Sequence, residues 1–345
     1  MKTLLITGGY GFIGCNFIRL LSREKPRWRI VNLDLLTYAG NIDNLADLNF
    51  RANDPQYRFV QGDIADLAFV RQLFETERPD GIVNFAAETH VDRSLLNSAP
   101  FVRTNIEGVR VLLEVAAQYG IDRFLQVSTD EVYGSLAPNE PAFSEHSPLL
   151  PNSPYAASKA AADLLVRAYH RSYRIPTLIT RCGNNYGPYQ FPEKFLPLFI
   201  TNAMDDQPLP LYGDGKQIRD WIHVEDHVRA VLHVLEQGVP GEIYNVSADG
   251  ERMNQIMAEW VLDMLGKPRE LICPVEDRPG HDRRYSLNAS KIRSLGWEPS
   301  VPLEQGLSNT IDWYRSQRAW WERIKSGEYR KYYSEMYGQR LKSQA

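Results

Sequence analysis

The sequence predicts an α/β fold, a doubly wound parallel sheet with a smaller C-terminal lobe, and three observations carry that expectation. Six short β-rich runs recur along the first half: "TLLITG", "RIVNLD", "YRFVQG", "GIVNFAA", "RFLQVS" and "TLITRC". They are continuously apolar, not alternating, as strands covered on both faces of a parallel sheet must be. Between them lie "FIRLLSRE", "LAFVRQLFETE" and "IEGVRVLLEVAAQY", whose apolar residues recur at helical spacing. Strand–helix alternation of this kind builds a doubly wound sheet. The first strand also runs directly into the glycine-spaced "ITGGYGFIG".

In chain order, the apolar N-terminus "MKTLLITGG" raises the question of a signal peptide. Gly8 and Gly9 arrive early and no small-residue cleavage site follows, so it reads as the first strand. Gly8, Gly11 and Gly14 then stand in a G-x-x-G-x-x-G spacing that opens a helix. Glycine allows a tight turn and lets backbone N–H groups approach a pyrophosphate, which a helix N-terminus also attracts. A glycine triplet alone also serves ordinary turns, so its context matters. The second strand ends in Asp34, where a carboxylate accepts ribose hydroxyls and repels a 2′-phosphate, which favours NAD over NADP. The third leads to "GDI", whose Asp63 either caps a helix or meets the adenine edge.

After Cys182 proline and aromatic residues crowd in, as "NNYGPYQFPEKFLPLF" and "QPLPLYGDGKQIRDW", which predicts ligand-covering loops in place of long helices. "VEDHVRAVLHVLEQ" then reads as a helix and "GEIYNVS" as a strand returning to the sheet. The expected division is a Rossmann-type NAD-binding domain over 1–185, rejoined by 220–248, and a second lobe over 186–219 and 249–345.

Composition limits the partners. With 345 residues and a net charge of −4, the chain holds a sizeable core but no Lys/Arg excess for nucleic acid. Trp320, Trp321, Tyr332 and Tyr333 are interleaved with glutamates and read as helix packing, not base stacking. Cys15, Cys182 and Cys273 are too few and too scattered for a disulfide framework, which suits a reducing compartment, the cytoplasm by default. No stretch approaches the ~18 apolar residues of a membrane span. "HVEDH", with His223 and His227, lacks the H-E-x-x-H order, so a helix start is expected there and no metal.

The reactive groups are concentrated in two stretches. "STDEVYG" places Asp130 beside Glu131 at a strand end, where like charges repel and local structure gives no reason for the pair. "YAASK" sets Tyr155 and Lys159 at i, i+4, on one face of a helix. A lysine cation beside the phenol is expected to favour the phenolate, a base suited to alcohol oxidation by NAD. Without the glycine loop, the same two residues would be an ordinary surface pair.

Taken together, these residues resemble the extended short-chain dehydrogenase/reductase superfamily, and the consecutive Asp-Glu resembles its dTDP-glucose 4,6-dehydratases. The likeness extends through "LTYAGN", "AAETHVDRS", "RCGNNYGPYQFPEK", "LYGDGKQIRDW" and "DRPGHDRRY". It implies NAD-dependent oxidation of C4 of a nucleotide-linked glucose, loss of water across C5 and C6, and hydride return to C6. Glu131 would be the base at C5 and Asp130 the acid at O6, with Thr129 and Tyr155 on the C4 oxygen and Lys159 beside them. Gly8, Gly11, Phe12, Ile13, Gly14, Asp34, Leu35, Leu36, Thr37, Asp63, Ile64, Phe85, Ala86, Ala87, Thr104, Tyr155, Lys159 and Asn185 would line NAD. Thr89, Thr129, Asn184, Lys194, Phe195, Pro210, Leu211, Tyr212, Arg219, Asn254, Asp277, Arg278 and His281 would line the sugar nucleotide. Leu35 stands where the family commonly has Lys, and Gly183 where Ser is usual, which touches cofactor contacts only. The resemblance also implies a homodimer through the helices at 101–119 and 155–173. A UDP-glucose dehydratase, a nucleotide-sugar 4-epimerase and a non-catalytic NAD sensor are the competing readings.

Overall fold

The computed structural model describes residues 2–50, 54–326 and 328–342. Its centre is a seven-stranded sheet of β1 (Thr3–Thr7), β2 (Arg29–Asp34), β3 (Tyr57–Gln61), β4 (Gly81–Asn84), β5 (Arg123–Thr129), β6 (Thr177–Cys182) and, after β7 (Asn184–Tyr186), β8 (Leu209–Tyr212) and β9 (Ile218–His223), the last member β10 (Ile243–Val246). The order β10-β6-β5-β4-β1-β2-β3 is parallel throughout. Strand order reverses between β1 and β4, and in such sheets ligands bind at the carboxyl ends of the strands at that switch point. The six predicted strands are all present, and "GEIYNVS" does return, pairing Ile243–Val246 with Ile179–Cys182.

Helices cover both faces. On one, Phe17, Ile18 and Leu21 of Phe12–Glu24 pack with Val228, Val231 and Leu235 of Val224–Gln237. On the other, Val70 and Phe74 of Leu67–Glu77 meet Val111, Leu112 and Val115 of Val109–Tyr119, with Val166 of Pro154–Tyr173. Each such side chain withdrawn from water contributes about 1.5–3 kcal/mol.

A third cluster holds Phe199, Met257, Val261, Ile311, Tyr314 and Trp321. It underlies two small sheets, β7 and β9 with β11 (Glu251–Met253), and β8 with β12 (Ile272–Val275). Trp320 and Trp321 are buried here, their indole N–H groups donating to Asn44 Oδ1 at 3.0 Å and to the Tyr314 carbonyl at 2.9 Å. Their role is packing.

One expectation fails in this region. The proline-rich stretch includes a ten-residue helix, Phe195–Met204. Pro197 is its third residue, inside the first turn, where a backbone N–H has no intrahelical acceptor to lose. Among the described residues no helix is long and apolar enough to cross a membrane.

Candidate active site

The glycine turn is built by close approach. Gly8 has φ +69°, and a Cβ there would lie 2.7 Å from the Ala86 nitrogen. At Gly14 a Cβ would lie 2.2 Å from the Gly8 carbonyl oxygen, whereas at Gly11 the nearest contact is 3.3 Å. The turn therefore packs directly against the end of β4 and opens the helix Phe12–Glu24 toward a cleft. These are the features that a dinucleotide requires, a backbone concavity at a helix N-terminus.

Asp34 closes the second strand. Its carboxylate accepts the N–H groups of Tyr10 at 2.9 Å and Leu36 at 2.8 Å, which fixes its direction and leaves lone pairs for hydroxyl donors. Asp63 does not cap a helix. It accepts from the Ala65 N–H at 2.8 Å and pairs with Arg103 at 2.7 Å, while Asp66 caps the helix Leu67–Glu77.

One continuous cleft runs along the strand ends. Gly8, Gly11, Phe12, Ile13, Gly14, Asp34, Leu35, Thr37, Asp63, Ile64, Phe85, Ala86, Ala87, Thr104, Tyr155, Lys159 and Asn185 all line it. Leu36 does not: its φ is +57° and it packs against the core. Thr89, Thr129, Asp130, Glu131, Asn184 and Lys194 line the same cleft, so both groups of expected site residues meet at the end of β5. Phe195, Pro210, Leu211, Tyr212, Arg219, Asn254, Asp277, Arg278 and His281 lie outside its wall. They belong to the layer of the two small sheets and their loops, where Asp277 ties Gln217 to His281 and Arg219 stacks on Tyr285 at 4.4 Å.

Local sequence positions the reactive groups. Ser153 caps the helix Pro154–Tyr173 by accepting from Ala156 N–H, and Pro154 occupies the first turn, so Tyr155 and Lys159 enter on one buried face. Lys159 Nζ donates to the Val127 carbonyl of β5 at 2.8 Å. Burial brings its ammonium down to about 8, against the opposing charge of Asp163.

The phenol departs from expectation. Tyr155 is held above its ordinary value, first by burial and then by the charge of Glu131, with a hydrogen bond to Thr129 acting the other way. Lys159 was expected to lower it, but the lysine directs its Nζ at a backbone carbonyl and two carboxyl groups crowd the phenol.

The carboxyl pair is split by its surroundings. Asp130 is 2 % exposed, and burial followed by the charges of Glu131 and Asp220 pushes it well above the usual range. Its Oδ1 lies 3.1 Å from Thr129 Oγ1, and its Oδ2 is buried with no partner. Glu131 is raised by burial too, but Arg278, Arg219 and Lys194 all pull it back. Asp130 is therefore the member that retains a proton, and Glu131 the member that gives one up first.

Some contributors were not legible in the sequence. Asn105 lies in a wide helical turn, Val102–Gly108, and pins the cleft edge by exchanging hydrogen bonds with the backbone of Glu88 at 2.9 and 3.0 Å. It also donates to Ser158 Oγ at 2.8 Å, beside Lys159. Glu193 accepts from Tyr38 at 2.9 Å and Arg93 at 3.1 Å, fastening the loop after Asp34 to the loop that carries Lys194. His223 caps the helix Val224–Gln237, and buried His227 meets Asn185 Oδ1 at 2.8 Å.

Comparison with known proteins identifies the family. The family model described as GDP-mannose 4,6 dehydratase matches residues 5–310. The dTDP-glucose 4,6-dehydratase of Xanthomonas campestris pv. campestris (strain B100) is 49 % identical over 96 % of this chain and 98 % of its own. That of Streptomyces niveus is 49 % identical over 94 % and 96 %. Among solved structures, DesIV, a dTDP-glucose 4,6-dehydratase from Streptomyces venezuelae crystallised with NAD, superposes with a TM-score of 0.90 at 49 % identity, covering 94 % of this chain and 100 % of that one. A UDP-glucose 4-epimerase from Thermotoga maritima gives 0.84 at 28 %, covering 92 % and 100 %. By sequence and by fold, the chain belongs to the dTDP-glucose 4,6-dehydratase family.

Proposed function

We propose that the protein is an NAD-dependent lyase that converts dTDP-glucose to dTDP-4-keto-6-deoxyglucose. The observation that carries this reading is the division of Asp130 and Glu131 into a buried carboxyl pushed up by two neighbouring acids, with Arg219 alone among the cations acting against them, and a carboxyl drawn down by three cations. Elimination needs an acid and a base at once, and an epimerase, which only oxidises and reduces C4, has no use for such a pair. Its structural neighbours include an epimerase, but the dehydratases match at the higher identity.

When bound, NAD supplies the acceptor for hydrogen from C4 and returns it to C6. The glycine turn fits its diphosphate, and Asp34 fits its ribose hydroxyls. In its phenolate form Tyr155 takes the C4 hydroxyl proton, with Thr129 hydrogen-bonding the same oxygen; burial and the charge of Glu131 keep the phenol protonated at rest, so the step requires its prior ionisation. The resulting ketone acidifies the C5 hydrogen, which Glu131 removes. Asp130 gives its proton to the C6 oxygen, which departs as water; once hydride is back at C6, Glu131 returns a solvent-exchanged proton to C5, and Asp130 is reprotonated while Tyr155 gives up the proton it took. Lys159, anchored to Val127, presents its charge along the same face of the helix.

The division into a dinucleotide-binding part, 1–185 with 220–248, and a sugar-nucleotide lobe, 186–219 with 249–345, is supported by the separate third core cluster. Exposed Val102, Leu164 and Tyr173 on the helices expected at a dimer seam support a homodimer, which sedimentation would test. Three cysteines, too few and too scattered for a disulfide framework, support a cytoplasmic setting.

The deciding experiment is turnover of dTDP-glucose in deuterated water. Solvent deuterium is expected at C5 of the product and the original C4 hydrogen at C6. Simple inversion at C4 would instead establish an epimerase. Parallel assays with UDP-, CDP- and GDP-glucose fix the base preference.

A further inference from the structure

Asp92 stands in the "HVDRS" stretch, in the first turn of the short helix Val91–Leu96, and is 3 % exposed. Its two oxygens face two side chains of the sugar-nucleotide layer. Oδ1 accepts from Arg278 Nη1 at 3.0 Å, and Oδ2 accepts from the Tyr212 hydroxyl at 3.0 Å. The guanidinium of Arg278 also sits 5.9 Å from the centre of the Tyr212 ring. Arg278 belongs to a loop without regular structure. Its Nε is buried with no partner. The side chain is thus held at one corner and has donors left over.

We infer that Asp92 is a positioning residue for the diphosphate of the substrate, setting the direction of the Arg278 fork and of Tyr212 while touching neither the substrate nor the reacting atoms. The inference rests on the function proposed above. A guanidinium offers five N–H donors in a rigid plane, so an acceptor at one terminal nitrogen determines where the others point. Asp92 engages Nη1 alone, so within the rigid fork it sets the direction in which Nη2 is offered to anionic oxygens. Burial by itself would raise the Asp92 carboxyl, but the charge of Arg278 brings it below the usual value, so it is ionised when it performs this task. Arg278 also acts on Glu131, so the same fixed cation serves the base that removes the C5 proton.

The test is Asp92→Asn in the full-length enzyme, which retains shape and removes charge. Calorimetry with dTDP and with thymidine separates the diphosphate from the nucleoside. The expected result is about tenfold weaker dTDP binding, with thymidine changed by less than about twofold, and KM for dTDP-glucose raised more than kcat is lowered. Removing a negative charge near an anion would by itself tighten binding, so weakening reports orientation. In an Arg278→Met background, the same Asp92→Asn change should alter dTDP affinity by less than about twofold, because its route is gone. Tighter or unchanged dTDP binding in Asp92→Asn overturns the inference, as does an equal loss for thymidine. Failure of the wild type to bind dTDP overturns the proposed function and this inference with it.

Discussion

Thr129 Oγ1 lies 3.1 Å from Asp130 Oδ1 while accepting the backbone N–H of Glu131 at 3.2 Å, and the same hydroxyl bonds Tyr155. A hydroxyl has one hydrogen and two lone pairs. It cannot donate to Asp130 and Tyr155 at once. Donating its hydrogen to Asp130 Oδ1, it has two lone pairs left, one for the Glu131 N–H and one for the protonated phenol of Tyr155, and every bond of the hydroxyl is satisfied. The short chain Asp130–Thr129–Tyr155 thus couples the acid for the C6 oxygen to the base for the C4 hydroxyl.

Glu131→Gln should separate oxidation from elimination. The variant is expected to bind NAD and oxidise C4 on adding dTDP-glucose, giving a persistent rise in absorbance of reduced cofactor, with product formation down about 10²- to 10⁴-fold. Asp130→Asn should lower turnover comparably but retain exchange of the C5 hydrogen with solvent. Wild-type turnover in Glu131→Gln would remove that residue from the mechanism.

The pH dependence of kcat should be bell-shaped. Glu131 must be ionised to act as a base, and its carboxyl is raised, so activity should fall on acidification at a higher pH than an ordinary glutamate would give. On the alkaline side Lys159 loses its charge near about 8, and Asp130 must retain its proton, so activity should fall there too. A profile flat from pH 5 to 9 would contradict both assignments.

What is legible in the sequence follows from the range of each interaction. Strands, glycine turn and the Tyr155–Lys159 pair were legible because apolar runs and i, i+4 spacing are local signals. Asp92 was not, since its partner Arg278 lies 186 residues away and only folding brings them together. Glu193 and Asn105 escaped for the same reason. Pro197 misled because a proline marks a helix break everywhere except the first turn. The phenol shift was misjudged because the sequence shows a neighbouring lysine but not how deeply Tyr155 is buried, nor that the charges of Glu131 and Asp130 act on it.

The glycines should be separable by what their side chains would strike. Gly14→Ala drives a methyl group to within 2.2 Å of a carbonyl oxygen and 2.8 Å of the Gly9 Cα, both backbone atoms that cannot swing aside. It should lower stability by about 1–3 kcal/mol and weaken NAD binding with it. Gly11→Ala meets its nearest backbone atom at 3.3 Å but projects into the cleft. It should leave the melting temperature nearly unchanged and still weaken NAD binding. Thermal melts and NAD titrations of the two variants check the contrast, and equal stability losses would contradict it.

Asp130 should also limit stability. Its folded-state carboxyl is raised above the unfolded value of about 3.9, so the stabilisation linked to its proton is complete below that pH and is lost as pH rises through the folded value. Asp130→Asn mimics the protonated carboxyl at every pH. Its melting temperature should match the wild type below about pH 4 and exceed it increasingly toward neutrality, by roughly 2–4 °C for each kcal/mol recovered. Calorimetric melts from pH 4 to 8 test this, and a difference independent of pH would mean that Asp130 is not held protonated by its site. The expected pairing of a more stable fold with lost elimination identifies the buried carboxyl as a cost that the fold bears for the reaction.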